Sequence, residues 1–541
     1  MSTATAVAPH AGRHEASRAG SPYTGVVSLL RLALRRDRIR LTVWISVLTL
    51  MMVYAPNAIK LAYPEEAERL ARVNLMKTPA GMIMGGPMFG GNQTDLGAMM
   101  ANELMLTLIV AASILSILTV VRHTRAEEEG GAAELVLSSV VGRYARTTAA
   151  LLLVGGVNAA LAVTMTIAMS ATGFAVVDTA AMCLGVTAVS MVFGAVAAVS
   201  VQLWRQARSA TGTAMAVLAA AALVRGIGDV IDNSGSALSW FSPIAWAQQM
   251  RPFVDLRWWP LALLVALTAA LIALAAVLEK RRQYDDGTIP ATGDRPGAPS
   301  VRGVLGLHLV LQRGLTIGWG VGLFLAGLAF GSMTKSLMDA AQTNELLARV
   351  LTAQGIDGVY TTMTQFLAAA ATAYVVTAVL RVHADEESGL GEAVLAGTVS
   401  RWRWLLSAVA ATLLGATLLM LGAGLGNGLG AGLTLGEPGT VLRLTLAGLA
   451  YVPAMAVMAG VAALAVALRR PWLAWVVVAF VVVSLYLGAL LRLPQWLLDA
   501  SPVGQTTAPS AYPLSALAVM VVAAAALAAV AGWLYRRRDA A

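Results

Sequence analysis

Apolar residues run along this chain in long blocks broken by short polar stretches, not in the stripes of a soluble helix or the alternation of a strand. Blocks of roughly 20 residues lie near 40–58, 99–121, 148–170, 180–203, 211–230 and 258–279. A second set lies near 314–333, 361–380, 405–425, 442–468, 472–490 and 514–534. A helix of that length crosses a ~30 Å hydrocarbon core with every backbone group bonded internally. The pattern predicts an all-α polytopic membrane protein of about twelve transmembrane helices. Residues 280–302 (KRRQYDDGTIPATGDRPGAPSVR) are polar and carry Pro and Gly, as a linker does. The expected domains are a disordered cytoplasmic tail over 1–22, a six-span half over 23–279, a cytoplasmic linker over 280–303 and a second half over 304–541.

Two stretches depart from the blocks. Over 23–40, Leu29, Leu30, Leu34 and Ile39 alternate with Arg31, Arg35, Arg36 and Arg38, which predicts an interfacial helix leading into the first span. Residues 63–76 read as an amphipathic helix on the other side, repeated over 339–350. The repetition extends further. Trp44 matches Trp319 at an offset of 275, and Glu68-x-Leu70-Ala71-Arg72-Val73 matches Glu345-x-Leu347-Ala348-Arg349-Val350 at 277. Ser242-Pro243 matches Ser501-Pro502 at 259. The falling offset leaves about 19 extra residues in the first half, with the Gly/Met-rich stretch 82–94 as their candidate. Six is an even number of spans, so the halves enter the membrane alike and form two parallel six-helix repeats.

Composition adds orientation. The chain is 58% hydrophobic and 12% charged, against about 25% charged in soluble domains. The net charge of +9 would suggest nucleic acid in a soluble protein; here cytoplasmic loops collecting Lys and Arg explain it. That places both termini and the linker in the cytoplasm, with Arg536, Arg537 and Arg538 as a closing anchor. Trp204, Trp258, Trp259, Trp402, Trp472 and Trp533 flank spans as an aromatic belt. The lone Cys183 excludes an intrachain disulfide.

The densest acid clusters occur twice: 126–143, AEEEGGAAELVLSSVVGR, and 384–401, ADEESGLGEAVLAGTVSR. At an offset of 258, nine of eighteen positions are identical, and Asp385 stands opposite Glu127. Glu127, Glu128 and Glu129 follow the second span, where hydrocarbon would cost an acid about 2.5–3.5 kcal/mol, so they belong at the interface. Residues 132–141 read as a short helix with Val136, Leu137, Val140 and Val141 on one side; Val394, Leu395 and Val399 repeat that spacing. Metal or acid–base chemistry, a solvated helix cap and a mechanical coupling element all remain open. Against the first, His383 aligns with Arg125 and not with His123, whereas a repeated metal site repeats its ligands. The apolar stripe favours the third.

The pattern E-E-x-G-x-x-E after the second of six spans, with an apolar pair and a closing arginine, resembles the cytoplasmic loop of ABC type-2 transporter permeases. The two-half layout is similar to the actinobacterial exporters of polyketide antibiotics of the tetronasin-resistance type. The resemblance implies a coupling helix that docks onto a separate ATP-binding-cassette ATPase. It carries that role to Glu128, Glu129, Gly131, Glu134 and Arg143, and to Glu386, Glu387, Gly389, Glu392 and Arg401; Glu127 and Asp385 complete the clusters. Val140 and Thr398 stand where the family often has proline. No G-x-x-x-x-G-K-[ST] loop exists, and none of Lys60, Lys77, Lys280 or Lys335 follows a glycine. ATP and Mg²⁺ would therefore sit on the partner, in two copies per permease chain, with no cofactor here and no catalytic residues.

The expected function is a permease subunit of an ATP-driven exporter of hydrophobic or amphipathic compounds. The rival is a proton-coupled secondary carrier, which needs protonatable groups deep in its spans. Asp95 and Glu103 lie near the outer end of the second span, as hydrated or substrate-facing acids. Asn158, Gln202, Gln365 and Asn427 are candidates for interhelical bonds or substrate contacts. The alternate glycines from Gly422 to Gly432 follow a span and no strand, which removes a nucleotide fingerprint and leaves close helix packing or a flexible turn.

Overall fold

The computed structural model describes residues 21–77, 79–90, 94–130, 141–232, 235–282, 287–288, 303–341, 345–387, 389–397, 399–487 and 494–537. Described residues are almost all helical or in turns, with no strand among them, and divide into two compact units, 1–293 and 294–541. Among the described residues eleven helical segments are long and apolar enough to span a membrane, one of them, Gly439–Ala467, interrupted by a turn, and a twelfth apolar helix, Trp472–Leu487, is shorter.

In the first unit the spans are α1 (Val26–Ala62), α4 (Leu96–Arg122), α6 (Ala145–Ser170), α7 (Val176–Leu203), α8 (Ala207–Ile231) and α10 (Trp259–Arg281). Short helices α2 (Glu66–Met76), α3 (Pro79–Gly85), α5 (Arg125–Glu129) and α9 (Pro243–Gln248) join them. The interfacial helix expected over 23–40 is not a separate element. It runs without a break into the first span, because no Gly or Pro interrupts it before Pro56. At 37 residues, α1 is about 55 Å long, well beyond the hydrocarbon thickness. The centre of the unit is α4 against α7, the two most buried spans. Ser116 of α4, Ser190 of α7 and Asn158 of α6 form a buried polar clasp, Oγ to Oγ at 2.8 Å and Nδ2 to Oγ at 3.1 Å. Interhelical bonding is thus the use of Asn158.

In the second unit the elements are α11 (Gly303–Ala341), α12 (Glu345–Glu387), α13 (Leu390–Leu395), α14 (Arg401–Leu435), α15 (Gly439–Leu449), α16 (Val452–Ala467), α17 (Trp472–Leu487), α18 (Gln495–Asp499) and α19 (Leu514–Arg536). Gly355, at φ 66°, kinks α12 and sets its first turns apart from the span. The block at 442–468 folds as two helices. A turn at Ala450 and Tyr451 breaks it, Pro453 opens α16, and the buried Tyr451 hydroxyl donates to the Ala508 carbonyl at 3.0 Å.

The alternate glycines stay helical to Leu435, which decides between packing and a turn. Their spacing makes two stripes. Gly426 and Gly430 face α11, where an added Cβ would lie 2.1 Å from the Phe324 carbonyl and 2.4 Å from that of Leu328. Gly424 and Gly428 face α15 in the same way, against the carbonyls of Leu444 and Val441. Only hydrogen lets backbones approach so closely.

Candidate functional site

Each span alternates direction, so one face of the first unit gathers the start of α1, α6 and α8 and the ends of α4, α7 and α10. There α5 carries Glu127, Glu128 and Glu129, set off from α4 by a turn at His123 and Thr124. Consecutive residues on a helix point about 100° apart, and these three acids reach three different neighbours. Glu127 accepts from Arg36 of α1 at 3.1 Å and lies 3.3 Å from His123 Nδ1. Glu128 turns inward with its side chain 4% exposed. It pairs with Arg125, with Arg146 of α6 at 2.6 Å and with Arg282, just past α10, at 2.7 Å. Glu129 accepts from the backbone N–H of Ala207, the first residue of α8, at 2.8 Å. That satisfies an orphan helix donor with a negative charge at the positive end of the dipole.

The remaining contacts tighten the same knot. Arg125 Nε donates to the Trp204 carbonyl at 2.8 Å, across the gap from α7 to α8. Asp37 of α1 is 2% exposed, between Arg122 at 3.1 Å, Arg40 at 3.3 Å and His123 Nε2 at 3.0 Å. Arg143 donates to the carbonyls of Glu279 at 2.8 Å, Lys280 at 2.6 Å and Arg282 at 3.1 Å, closing the end of α10 as a basic residue does at a helix C-terminus. Gly131, Glu134 and the short helix expected over 132–141, save Val141, lie outside the described residues.

The second unit treats its acids differently. Asp385 lies 3.8 Å from Arg381 one turn before it, and Glu387, 71% exposed on its side chain, lies 3.3 Å from His383. Glu386 accepts from the Tyr535 hydroxyl near the end of α19. Gly389 takes a positive φ of 75° just before α13. The side chain of Glu392, within α13, is outside the described set. Val394, Leu395 and Val399 pack onto the unit's own core, so the apolar stripe is turned inward. Arg401 is the first residue of α14.

Other sequence candidates have structural partners. Asp95 caps α4, accepting from Ala98 N–H at 3.0 Å, and Glu103 pairs with Arg72 of α2 at 3.1 Å. Gln365 donates to the Thr506 carbonyl at 3.0 Å, and the backbone carbonyl of Gln202 accepts from Thr288. Asn427 is fully buried, with neither side-chain polar atom bonded. Sequence reasoning passed over Asp37, Arg146, Arg282 and a second knot on the opposite face. There Arg225 and Asp229 of α8, both about 1% exposed, pair at 3.2 Å. Arg225 also donates to the carbonyls of Met82 and Ile83, and Ser239 donates to Asp229 at 2.7 Å. A charge pair at i and i+4 inside an apolar block was the available signal; for Asp37 it was one acid among five arginines from Arg31 to Arg40.

Eleven spanning helices, polar clasps between them and charges drawn to helix ends define a multi-pass α-helical membrane protein. Residues 27–278 and 301–536 match the family described as the multidrug efflux system permease Rv1217c, C-terminal domain. The chain is also 37% identical, over 97% of both sequences, to the multidrug efflux system permease protein Rv1217c of Mycobacterium tuberculosis. The chain belongs to this family of multidrug efflux permeases.

Proposed function

We propose that this chain is the membrane-spanning subunit of an ABC type-2-like exporter of hydrophobic or amphipathic compounds, driven by ATP and Mg²⁺ on a separate ATPase. Segments 126–143 and 384–401 would be its two coupling elements, one ATPase copy under each, with both termini and the linker cytoplasmic. The observation that carries the reading is the fan of Glu127, Glu128 and Glu129 onto α1, α6, α8 and the end of α10. A push on that segment moves four helix ends together. The acids then divide their work: Glu128 anchors the segment, while outward-facing Glu387 is available to a partner's basic groove.

The test is co-purification with the ATPase and ATP turnover. The permease alone should hydrolyse no ATP; turnover by the isolated chain sinks the reading. Glu387→Lys should leave the fold intact and weaken ATPase recovery severalfold, as loss of a charge pair at a docking rim does. Unchanged recovery from both Glu387→Lys and Glu129→Lys would count against docking through these segments.

A further inference from the structure

We propose that a cleft on the far face of the first unit, away from the acidic segment, binds the head group of an amphipathic anion that also carries a hydrogen-bond donor. The proposal rests on the reading that the chain moves amphipathic compounds, and it names their polar chemistry. The cleft lies between residues 85–89, which follow α3, the first turns of α4, and residues 248–254. Its enclosed space is about 30 Å³ and it opens outward. That is roughly the volume of a water, so it takes the tip of a ligand and leaves an apolar body against Met88, Phe89 and Val254.

The floor is built from two buried amides. Gln248, 6% exposed, donates Nε2 to the Gly85 carbonyl at 2.9 Å, and Asn102, 8% exposed, donates Nδ2 to the Gly86 carbonyl at 2.9 Å. Those carbonyls fix the amide orientation, because a flip would set oxygen against oxygen. Gln248 Oε1 is left buried without a hydrogen-bond partner, an arrangement native structures avoid unless something else supplies the donor. Gly86 keeps the floor open: at φ 110° it is left-handed, and a Cβ there would lie 2.3 Å from Gln248 Nε2. At the mouth stands Arg251, half-buried, its guanidinium 4.4 Å over the Phe89 ring. Two of its nitrogens share Gln249 Oε1, at 3.2 and 3.3 Å; a guanidinium has five N–H donors in all. An acceptor inside and a cation outside call for a ligand donor next to a negative charge.

The experiment uses the full chain in phosphatidylcholine nanodiscs and three probes: 2-hydroxyoleate, with a hydroxyl on the carbon beside its carboxylate; oleate, without the hydroxyl; and methyl 2-hydroxyoleate, without the charge. Wild type should bind 2-hydroxyoleate about tenfold more tightly than either, the size of one charge-assisted or buried hydrogen bond. Arg251→Gln should abolish the advantage over the methyl ester and keep that over oleate, while Arg251→Lys retains most of both. Gln248→Leu should abolish the hydroxyl preference; the Arg251 pair carries the test if that variant does not fold. Competition by added phosphatidylglycerol makes a lipid head group the occupant, and no competition makes it a free compound; both support the site. Equal affinity for all three probes, or unchanged preferences in Arg251→Gln, overturns it. Binding needs no ATPase. Flat binding beside intact ATP-driven export sinks the site alone, and selective binding beside transport that does not depend on ATP sinks the exporter reading alone.

Discussion

The two acidic segments match at nine of eighteen positions, yet they sit in opposite electrostatic settings. In the first unit Glu128 is buried among three guanidiniums. In the second, its counterpart Glu386 meets a tyrosine hydroxyl, and Glu387 points outward. The difference comes from residues far away in sequence. At offsets of 275 and 258, Asp37 corresponds to Gln312, His123 to Arg381 and Arg146 to Trp404. Where α1 and α4 meet through Asp37 and His123, α11 and α12 meet through Arg381 donating to the Leu311 carbonyl at 2.8 Å. Where Arg146 grips Glu128, Trp404 lies against the His308 ring, centroids 4.2 Å apart. The same level of the fold is held by charges in one half and by rings and carbonyls in the other. A repeated motif therefore fixes the place of a segment and leaves its rigidity to its neighbours.

The largest expected effect breaks this comparison directly. Glu128→Gln leaves Arg125, Arg146 and Arg282 without their counter-charge, and removal of one partner from a buried ion pair costs about 3–5 kcal/mol. Glu386→Gln keeps an acceptor for Tyr535 and should be close to neutral. Thermal unfolding of the two variants in the same nanodiscs checks both; equal losses would erase the distinction. Next is the glycine seam. A Cβ on Gly331 would fall 2.0 Å from the Asn427 carbonyl, while one on Gly155 of α6 meets nothing within 4 Å. Gly331→Ala should destabilise by about 1–3 kcal/mol, as overpacking does, and Gly155→Ala should stay within about 0.5 kcal/mol of wild type. The smallest is Tyr535→Phe, which removes one hydrogen bond to Glu386 and should cost about 1 kcal/mol, read as a shift of the second unit's melting transition.

Much of the architecture was legible because membrane physics writes it in blocks. Span positions and the doubled acids follow from length and charge, whereas the alternate glycines left packing and a turn both open until α14 ran helical to Leu435. Three things were not legible. The break at Tyr451 sits inside a continuous apolar block, where Pro453 is its one local mark and the carbonyl that receives the Tyr451 hydroxyl, that of Ala508, lies fifty-seven positions away. The continuity of α1 hides behind its basic flank. Glu128 reads like a solvated acid until Arg146 and Arg282 arrive from elsewhere. Local pattern locates charges, and only the fold tells which of them are neutralised.

The start of the described chain has a practical consequence. Gly142 N–H donates to the Thr24 carbonyl at 2.9 Å, and Tyr144 N–H donates to that of Pro22 at 3.0 Å. A Cβ on Gly142 would lie 2.2 Å from the Pro22 carbonyl oxygen. Pro22 and Thr24 are thus held at the end of the acidic segment. A label joined directly to Ser21 would overhang that surface like an awning, and Tyr535 brings the end of α19 to Glu386 in the same way, so labels for assembly studies belong on the opposite face, in the turn between α6 and α7.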